Sequence, residues 1–353
     1  MIKTGTPDNP GLQLKFQVSP SSSLSGTHRV ASDKSISHRS VIFSALARGT
    51  SVIRDILEGE DVLATIEAFR QMGIDIDRVE EPSGVVYRIH GKGVHGLQQP
   101  DRTLDMGNSG TAFRLLSGVM CAQPWASELT GDESLVRRPM ERIIKPLTLM
   151  GGRITSKNGF PPLAFSPPDQ IQGITYCSPV ASAQVKSAIL LAGLFAEGQT
   201  RVREPGITRD HTERMLRGFG YDVTVDSDGV MLSGGGGLEA RDVSVPADLS
   251  SATFFILAGL ICADSEIVLT GVGNNPSRNG VLRIFQRMGG EVELFNQRDV
   301  GGESVADIRV RASELTACTI QGNDIPLSID EIPALAVAAA TARGKTIIRD
   351  AEE

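Results

Sequence analysis

Four times in this chain an amphipathic run ends on a large apolar residue and a glycine, then turns into strand-like alternation. The four sites are Met72-Gly73-Ile74-Asp75-Ile76, Met150-Gly151-Gly152-Arg153-Ile154, Phe219-Gly220-Tyr221-Asp222-Val223 and Met288-Gly289-Gly290-Glu291-Val292, at intervals of 78, 69 and 69 residues. A second junction, helix to Gly-x-Thr-like turn to strand, interleaves with the first. It is seen at Ala47-Arg48-Gly49-Thr50-Ser51-Val52, Ala196-Glu197-Gly198-Gln199-Thr200-Arg201-Val202 and Ala342-Arg343-Gly344-Lys345-Thr346-Ile347, with weaker copies near Gln123-Pro124 and Ala263-Asp264. Glycine caps helices in any protein. Two interleaved junctions at one period point instead to a repeated unit of about 70 residues, with two helices and several short strands, that stacks on its neighbours to bury its apolar face.

Five turns of the second kind stand against four of the first, and the chain stops at Arg349-Asp350-Ala351-Glu352-Glu353, inside a fifth unit. If the fold needs an even number of units, the expectation is a fragment of a longer protein. At 353 residues the chain exceeds one ordinary core. Val30-Ala31-Ser32-Asp33 and Val245-Pro246-Ala247-Asp248 are alike in composition and bracket three units. They suggest two hinges: a discontinuous first domain of residues 1–31 plus 247–353, and a second domain of residues 32–246 inserted into it. Met1 to Pro10 read as a loose arm.

The net charge of −7, with scattered Lys and Arg, argues against nucleic acid as a partner. No run approaches 18 apolar residues and the N-terminus has no apolar core, so membrane insertion and secretion are not expected. Cys121, Cys177, Cys262 and Cys318 form no C-x-x-C pair, so neither zinc nor a disulfide framework is indicated, and a cytoplasmic location follows. There are 38 glycines, against roughly 25 for an average chain of this length, which calls for many tight turns or close backbone approaches.

Several helix starts carry a cation beside small polar residues. In Met106-Gly107-Asn108-Ser109-Gly110-Thr111-Ala112-Phe113-Arg114, a glycine turn leads into a helix whose Ala112, Leu115, Leu116 and Val119 share one face. Free N–H groups and the helix dipole make such a start an anion site, and Arg114, which opposes the dipole, suits a bound anion better than the helix. Asp33-Lys34-Ser35-Ile36-Ser37-His38-Arg39 opens the first long helix, where Lys34, Ser35 and Arg39 can grip one anion. Arg137-Arg138-Pro139, Ser182-Ala183-Gln184 and Thr208-Arg209-Asp210-His211-Thr212-Glu213 repeat the logic. Each alone is compatible with ordinary capping; together they imply a ligand with two or more anionic groups. Asp330-Glu331 stand at another helix start, where acids normally complement the dipole, yet beside a cation-lined cleft one of them is a natural general base. His211 and Glu213, two apart, do not share a helical face, and the Gly234-Gly235-Gly236-Gly237 run opens no helix, so neither a metal site nor a dinucleotide fingerprint is read here.

In order and spacing, Lys34-Ser35-x-Ser-x-Arg39, Gly107-Asn108-Ser109-Gly110-Thr111-x-x-Arg114, Arg138-Pro139, Ser182-Ala183-Gln184 and Arg209-Asp210-His211-Thr212-Glu213 resemble the 5-enolpyruvylshikimate-3-phosphate synthase family, from about Lys15 to the last residue. The resemblance implies an α/β fold: a two-domain inverted α/β prism of repeated βαβαββ units, the enolpyruvyl transferase fold, with helix N-termini aimed at the interdomain cleft. It implies a metal-free, cofactor-free transferase, expected as a monomer, acting on shikimate 3-phosphate and phosphoenolpyruvate. By the same resemblance Lys34 touches both substrates; Ser35, Arg39, Ser182 and Gln184 hold shikimate 3-phosphate; and Asn108, Ala183 and Arg209 are further substrate-binding residues. Gly110, Arg138 and Gln184 lie at the phosphoenolpyruvate site, and Asp330, also substrate-binding, matches the base, with Glu331 adjacent. After the equivalent of Ala351-Glu352-Glu353 the family continues with a Lys-Glu-Ser-Asp-Arg-like motif, so weak shikimate 3-phosphate binding and little turnover are expected of this sequence. The sister enzyme acting on UDP-N-acetylglucosamine and a non-catalytic binding module are the competing readings, and an RNA cyclase of similar units would need a basic surface.

Overall fold

The computed structural model describes residues 19, 21–82 and 84–351; the arm expected over Met1 to Pro10, and Glu352-Glu353, lie outside the described residues. Nine α-helices are found among the described residues: α1 Lys34–Leu46, α2 Glu60–Gln71, α3 Gly110–Met120, α4 Glu141–Leu149, α5 Ala183–Gly193, α6 His211–Gly218, α7 Leu249–Ile261, α8 Gly280–Arg287 and α9 Ile332–Thr341.

Both repeated junctions are structural. Met72, Met150, Phe219 and Met288 are the C-cap residues of α2, α4, α6 and α8. The glycine after each adopts φ of 81°, 99°, 81° and 85°, the left-handed conformation that stops a helix at least cost. The strands form four sheets of one plan. A short leading strand lies parallel to the second strand, and an antiparallel hairpin completes the sheet. With its two helices, each sheet makes a βαβαββ unit. Two units borrow the leading strand from elsewhere in the chain: Leu238–Glu239 leads Ala47–Arg54, and Ser25–His28 leads Glu266–Gly273. The parallel pair Thr319–Ile320 and Ile347–Ile348 has α9 between its strands, which is how the other units open.

The apolar residues segregate into two cores. One runs from Ile36 to Val245 and fills a larger body. The other gathers Val30 with residues from Ala247 to Ala338 in a smaller body. In the larger body α1, α3 and α5 are buried nearly all round, so they carry small residues where they touch. A Cβ at Gly118 of α3 would collide with the carbonyl of Ala188 in α5, so the two helices meet backbone to backbone. Leu115, Leu116 and Val119 are fully buried, each contributing about 1.5–3 kcal/mol of hydrophobic stabilisation. The chain passes between the bodies twice, side by side. Ser32 bridges Ala247, the Asp33 N–H donates to the Pro246 carbonyl at 2.8 Å, and the Asp248 N–H donates to the Ala31 carbonyl at 2.8 Å.

Candidate active site

Two helix starts depart from the sequence reading in detail. Asp330 and Glu331 lie in a 3-10 turn, Ile329–Glu331, and the α-helix proper begins after them, where Pro333 needs no N–H partner in the first turn. Arg209 stands two residues before α6, because Asp210 takes the N-cap position. Elsewhere the caps fall as the motifs imply. Asp33, Ser109 and Ser182 cap α1, α3 and α5, accepting from the N–H groups of Ile36, Ala112 and Val185.

Ser182, Ala183, Gln184, Thr208 and Arg209 of the larger body and Pro326, Ile329 and Asp330 of the smaller body line one cavity of about 710 Å³. Arg209 crosses it to ion-pair with Asp330. From its edge a polar chain runs to α3. The Gln184 side-chain amide donates to Thr111 Oγ1 at 3.1 Å, and its carbonyl accepts from Arg114 Nη1 at 2.7 Å. The position of a Cβ on Gly110 is 2.8 Å from Arg114 Nη1 and 3.1 Å from Arg138 Nη1, so the glycine is the floor under two guanidinium groups. Arg138 in turn donates to the Asn108 side-chain carbonyl and to Ser134 Oγ at 3.2 Å. Burial, then the neighbouring charges of Arg138 and Arg142, push the pKa of Arg114 down. Cations crowded this way favour any anion that arrives between them.

Lys34 and Arg39 sit apart from that lining. Lys34 at the start of α1 is half exposed and reaches Asp61 at 3.1 Å. Arg39 lies beneath the surface, donating to Thr212 Oγ1 at 2.8 Å, Ser187 Oγ at 2.9 Å and the Ser35 carbonyl at 2.9 Å. It thereby ties α1 to α5 and α6, and burial together with Arg209 brings its pKa to about 10, still charged at neutral pH. The two acids also differ. Burial works to raise the Asp330 pKa, but Arg209, Arg278 and Lys34 outweigh it and hold the group below its usual value. Glu331 is buried, accepts from Ser250 Oγ, and is raised above its usual value by burial. Asp330 therefore faces the cavity as a carboxylate, while Glu331 points into a buried network.

Behind the α3 start, His38 of α1 is fully buried, with Nδ1 2.8 Å from Thr65 Oγ1 and Nε2 3.4 Å from Ser109 Oγ. Burial, aided by Arg39 and Lys34, lowers its pKa to about 3. Because the folded value lies below the unfolded one, stability is full above about pH 6.5 and is lost as pH falls toward 3. Between pH 6.5 and 5 this loss is about 2 kcal/mol. Urea unfolding at pH 7 and pH 5 should show it in the parent chain and not in His38→Asn; parallel losses in both would refute this origin.

Sequence reasoning missed the buried Lys186, paired with Glu204 and Glu213 at 2.8 Å each, and Arg278, paired with Asp33 and Asp248. The first had a signal, a lone cation inside the apolar run from Val185 to Leu194. The second stood in Asn274-Asn275-Pro276-Ser277-Arg278-Asn279, another cation beside small polar residues before a helix. Two cations at the cleft are met by carboxylates, Arg209 by Asp330 and Arg278 by Asp33. Among the described residues there is no cluster of three or more His, Cys, Asp or Glu placed to hold a metal ion, and no helix is long and apolar enough to cross a membrane.

A family model described as EPSP synthase (3-phosphoshikimate 1-carboxyvinyltransferase) matches residues 18–353. The chain is 51% identical over 340 residues to the 3-phosphoshikimate 1-carboxyvinyltransferase of Citrifermentans bemidjiense, covering 96% of this chain and 78% of that protein. It is 53% identical over 332 residues to that of Magnetococcus marinus, covering 94% and 74%. EPSP synthase from Acinetobacter baumannii superposes with a TM-score of 0.85 at 50% identity, over 92% of this chain and 74% of that one. The enolpyruvyl transferase NikO from Streptomyces tendae shares the fold, with a TM-score of 0.73 at 18% identity over 93% and 75% of the two chains.

Proposed function

The chain belongs to the EPSP synthase family, and on that premise we propose that the cavity between its two bodies binds shikimate 3-phosphate beside phosphoenolpyruvate for carboxyvinyl transfer. The observation that carries the reading is the convergence of the α3 and α5 starts, through Gln184, Arg114, Gly110 and Arg138, on the cavity that Arg209 and Asp330 span. In this reading residues 32–246 are one domain, and residues 1–31 with 247–353 the other. The protein is a cytoplasmic monomer that uses no cofactor.

Lys34 serves both substrates; Ser35, Arg39, Ser182 and Gln184 serve shikimate 3-phosphate; Gly110, Arg138 and Gln184 serve phosphoenolpyruvate; and Asn108, Ala183 and Arg209 complete the substrate lining. The 5-hydroxyl of shikimate 3-phosphate adds to C2 of phosphoenolpyruvate as C3 gains a proton, and the tetrahedral intermediate then loses phosphate from C2 and a proton from C3, which restores the double bond. Asp330 takes the hydroxyl proton and Lys34 offsets the charge that develops. Arg209 couples binding to this step. While it holds Asp330 the carboxylate is a weak base; an anionic substrate that draws Arg209 away raises its affinity for the proton.

Gly110→Ala supplies a check on the division of labour. The new methyl displaces two flexible guanidinium tips, so the fold loses less than about 1 kcal/mol. Affinity for phosphoenolpyruvate should fall about tenfold while that for shikimate 3-phosphate holds. Equal losses for both ligands would reduce Gly110 to a packing residue. The reading as a whole is tested by isothermal titration of the chain with shikimate 3-phosphate and with UDP-N-acetylglucosamine. Heat is expected from the first alone; binding of the sugar nucleotide alone, or of neither, would overturn the assignment.

A further inference from the structure

The loop between the strand Glu266–Gly273 and α8 touches the N-cap residues of three helices at once. Asn275 Nδ2 donates to Asp210 at 2.7 Å, and Ser277 Oγ donates to the same oxygen at 3.3 Å. Arg278 donates through Nη1 to Asp33, and through Nη2 to Asp248 at 3.1 Å and Ser250 Oγ at 2.6 Å. Asp33, Asp210 and Asp248 are the N-caps of α1, α6 and α7. Asp33 and Asp248 also end the two crossings between the bodies, so one guanidinium grips both crossings where they enter their helices. The other carboxylate oxygens of these two caps remain on the helix N–H groups, Asp33 on Ile36 at 2.8 Å and Asp248 on Ser251 at 2.9 Å. Ser250 extends the grip by donating to Glu331, the neighbour of Asp330.

Arg278 is 5% exposed and does not line the cavity. Without it, the buried Asp33 and the part-buried Asp248 face each other at the crossings as carboxylates and push the helix starts apart. We propose that Arg278 is a positioning residue that sets the separation of the α1 start, bearing Lys34 and Ser35, from Asp330 across the cleft. It acts through Asp33 on one side and through Asp248, Ser250 and Glu331 on the other, and never touches substrate. The fork geometry of arginine is required, since a lysine ammonium does not span both carboxylates with paired donors.

The inference rests on the proposed shikimate 3-phosphate site, so the parent chain is titrated first: if it does not bind, the site assignment fails and not this one. In Arg278→Ala the affinity should drop about 30-fold, the scale expected when a site is misplaced by a fraction of an ångström. Millimolar guanidinium ion, but not sodium chloride of equal ionic strength, should restore part of it. Unchanged affinity, or an equal response to both salts, would overturn the proposal. Should that variant fail to fold, the triple variant Arg278→Met, Asp33→Asn, Asp248→Asn decides. It removes the buried charges and keeps capping side chains at both helices. Its affinity should stay low; recovery to the parent value would mean that Arg278 merely neutralises charge.

Discussion

Lys186→Met should destabilise the chain by about 3–5 kcal/mol, the range for removing one partner of a buried ion pair. Lys186 is 4% exposed and its ammonium lies 2.8 Å from both Glu204 and Glu213. Burial alone would lower its pKa, but the two carboxylates outweigh burial and raise it. The methionine fills the same space and strands the part-buried Glu204 and the buried Glu213, which already has an oxygen without a partner among the described residues. Glu204 also accepts from the Ser182 N–H at 3.2 Å and from Thr208 Oγ1 at 2.8 and 2.9 Å. Both of those residues line the cavity, so the variant loosens the site along with the fold. Urea unfolding measures the loss. A loss below about 1 kcal/mol would mean that the triad is not the electrostatic keystone described.

Lys34→Met should do the opposite. Its ammonium is half exposed and its ion pair with Asp61 is a surface one, so stability should change by less than about 0.5 kcal/mol. Affinity for shikimate 3-phosphate should fall about 100-fold, equivalent to roughly 2.7 kcal/mol for a charge-assisted contact. Calorimetric titration and urea unfolding of one preparation separate the two effects. Retained affinity would remove Lys34 from the site.

These two lysines mark what the amino-acid sequence reveals and what it hides. Lys34 is legible because it stands at a capped helix start beside Ser35, where a cation opposes the dipole and calls for a reason. The same logic singles out Gly110, Arg138, Ser182 and Gln184 as candidates. The repeat is legible because the Met-Gly and Phe-Gly stops need a left-handed glycine in every unit, and local geometry of that kind leaves its trace in the residues themselves. Lys186 and Arg278 are hidden because their partners, Glu204, Asp33 and Asp248, lie 18, 245 and 30 residues away. The folding of a single unit brings Lys186 to Glu204 and Arg278 to Asp248, and the meeting of the two bodies brings Arg278 to Asp33. The borrowed leading strands are hidden for the same reason, since Leu238–Glu239 carries no local sign that it belongs beside Ala47–Arg54.

The proposed cleft between the two bodies takes both anions. Its most direct test is the affinity for phosphoenolpyruvate with and without saturating shikimate 3-phosphate. If shikimate 3-phosphate draws Arg209 from Asp330 and settles the helix starts around the cleft, it should tighten phosphoenolpyruvate at least about tenfold, and the reverse titration should give the same factor. Equal phosphoenolpyruvate affinity in both titrations would contradict a shared cleft.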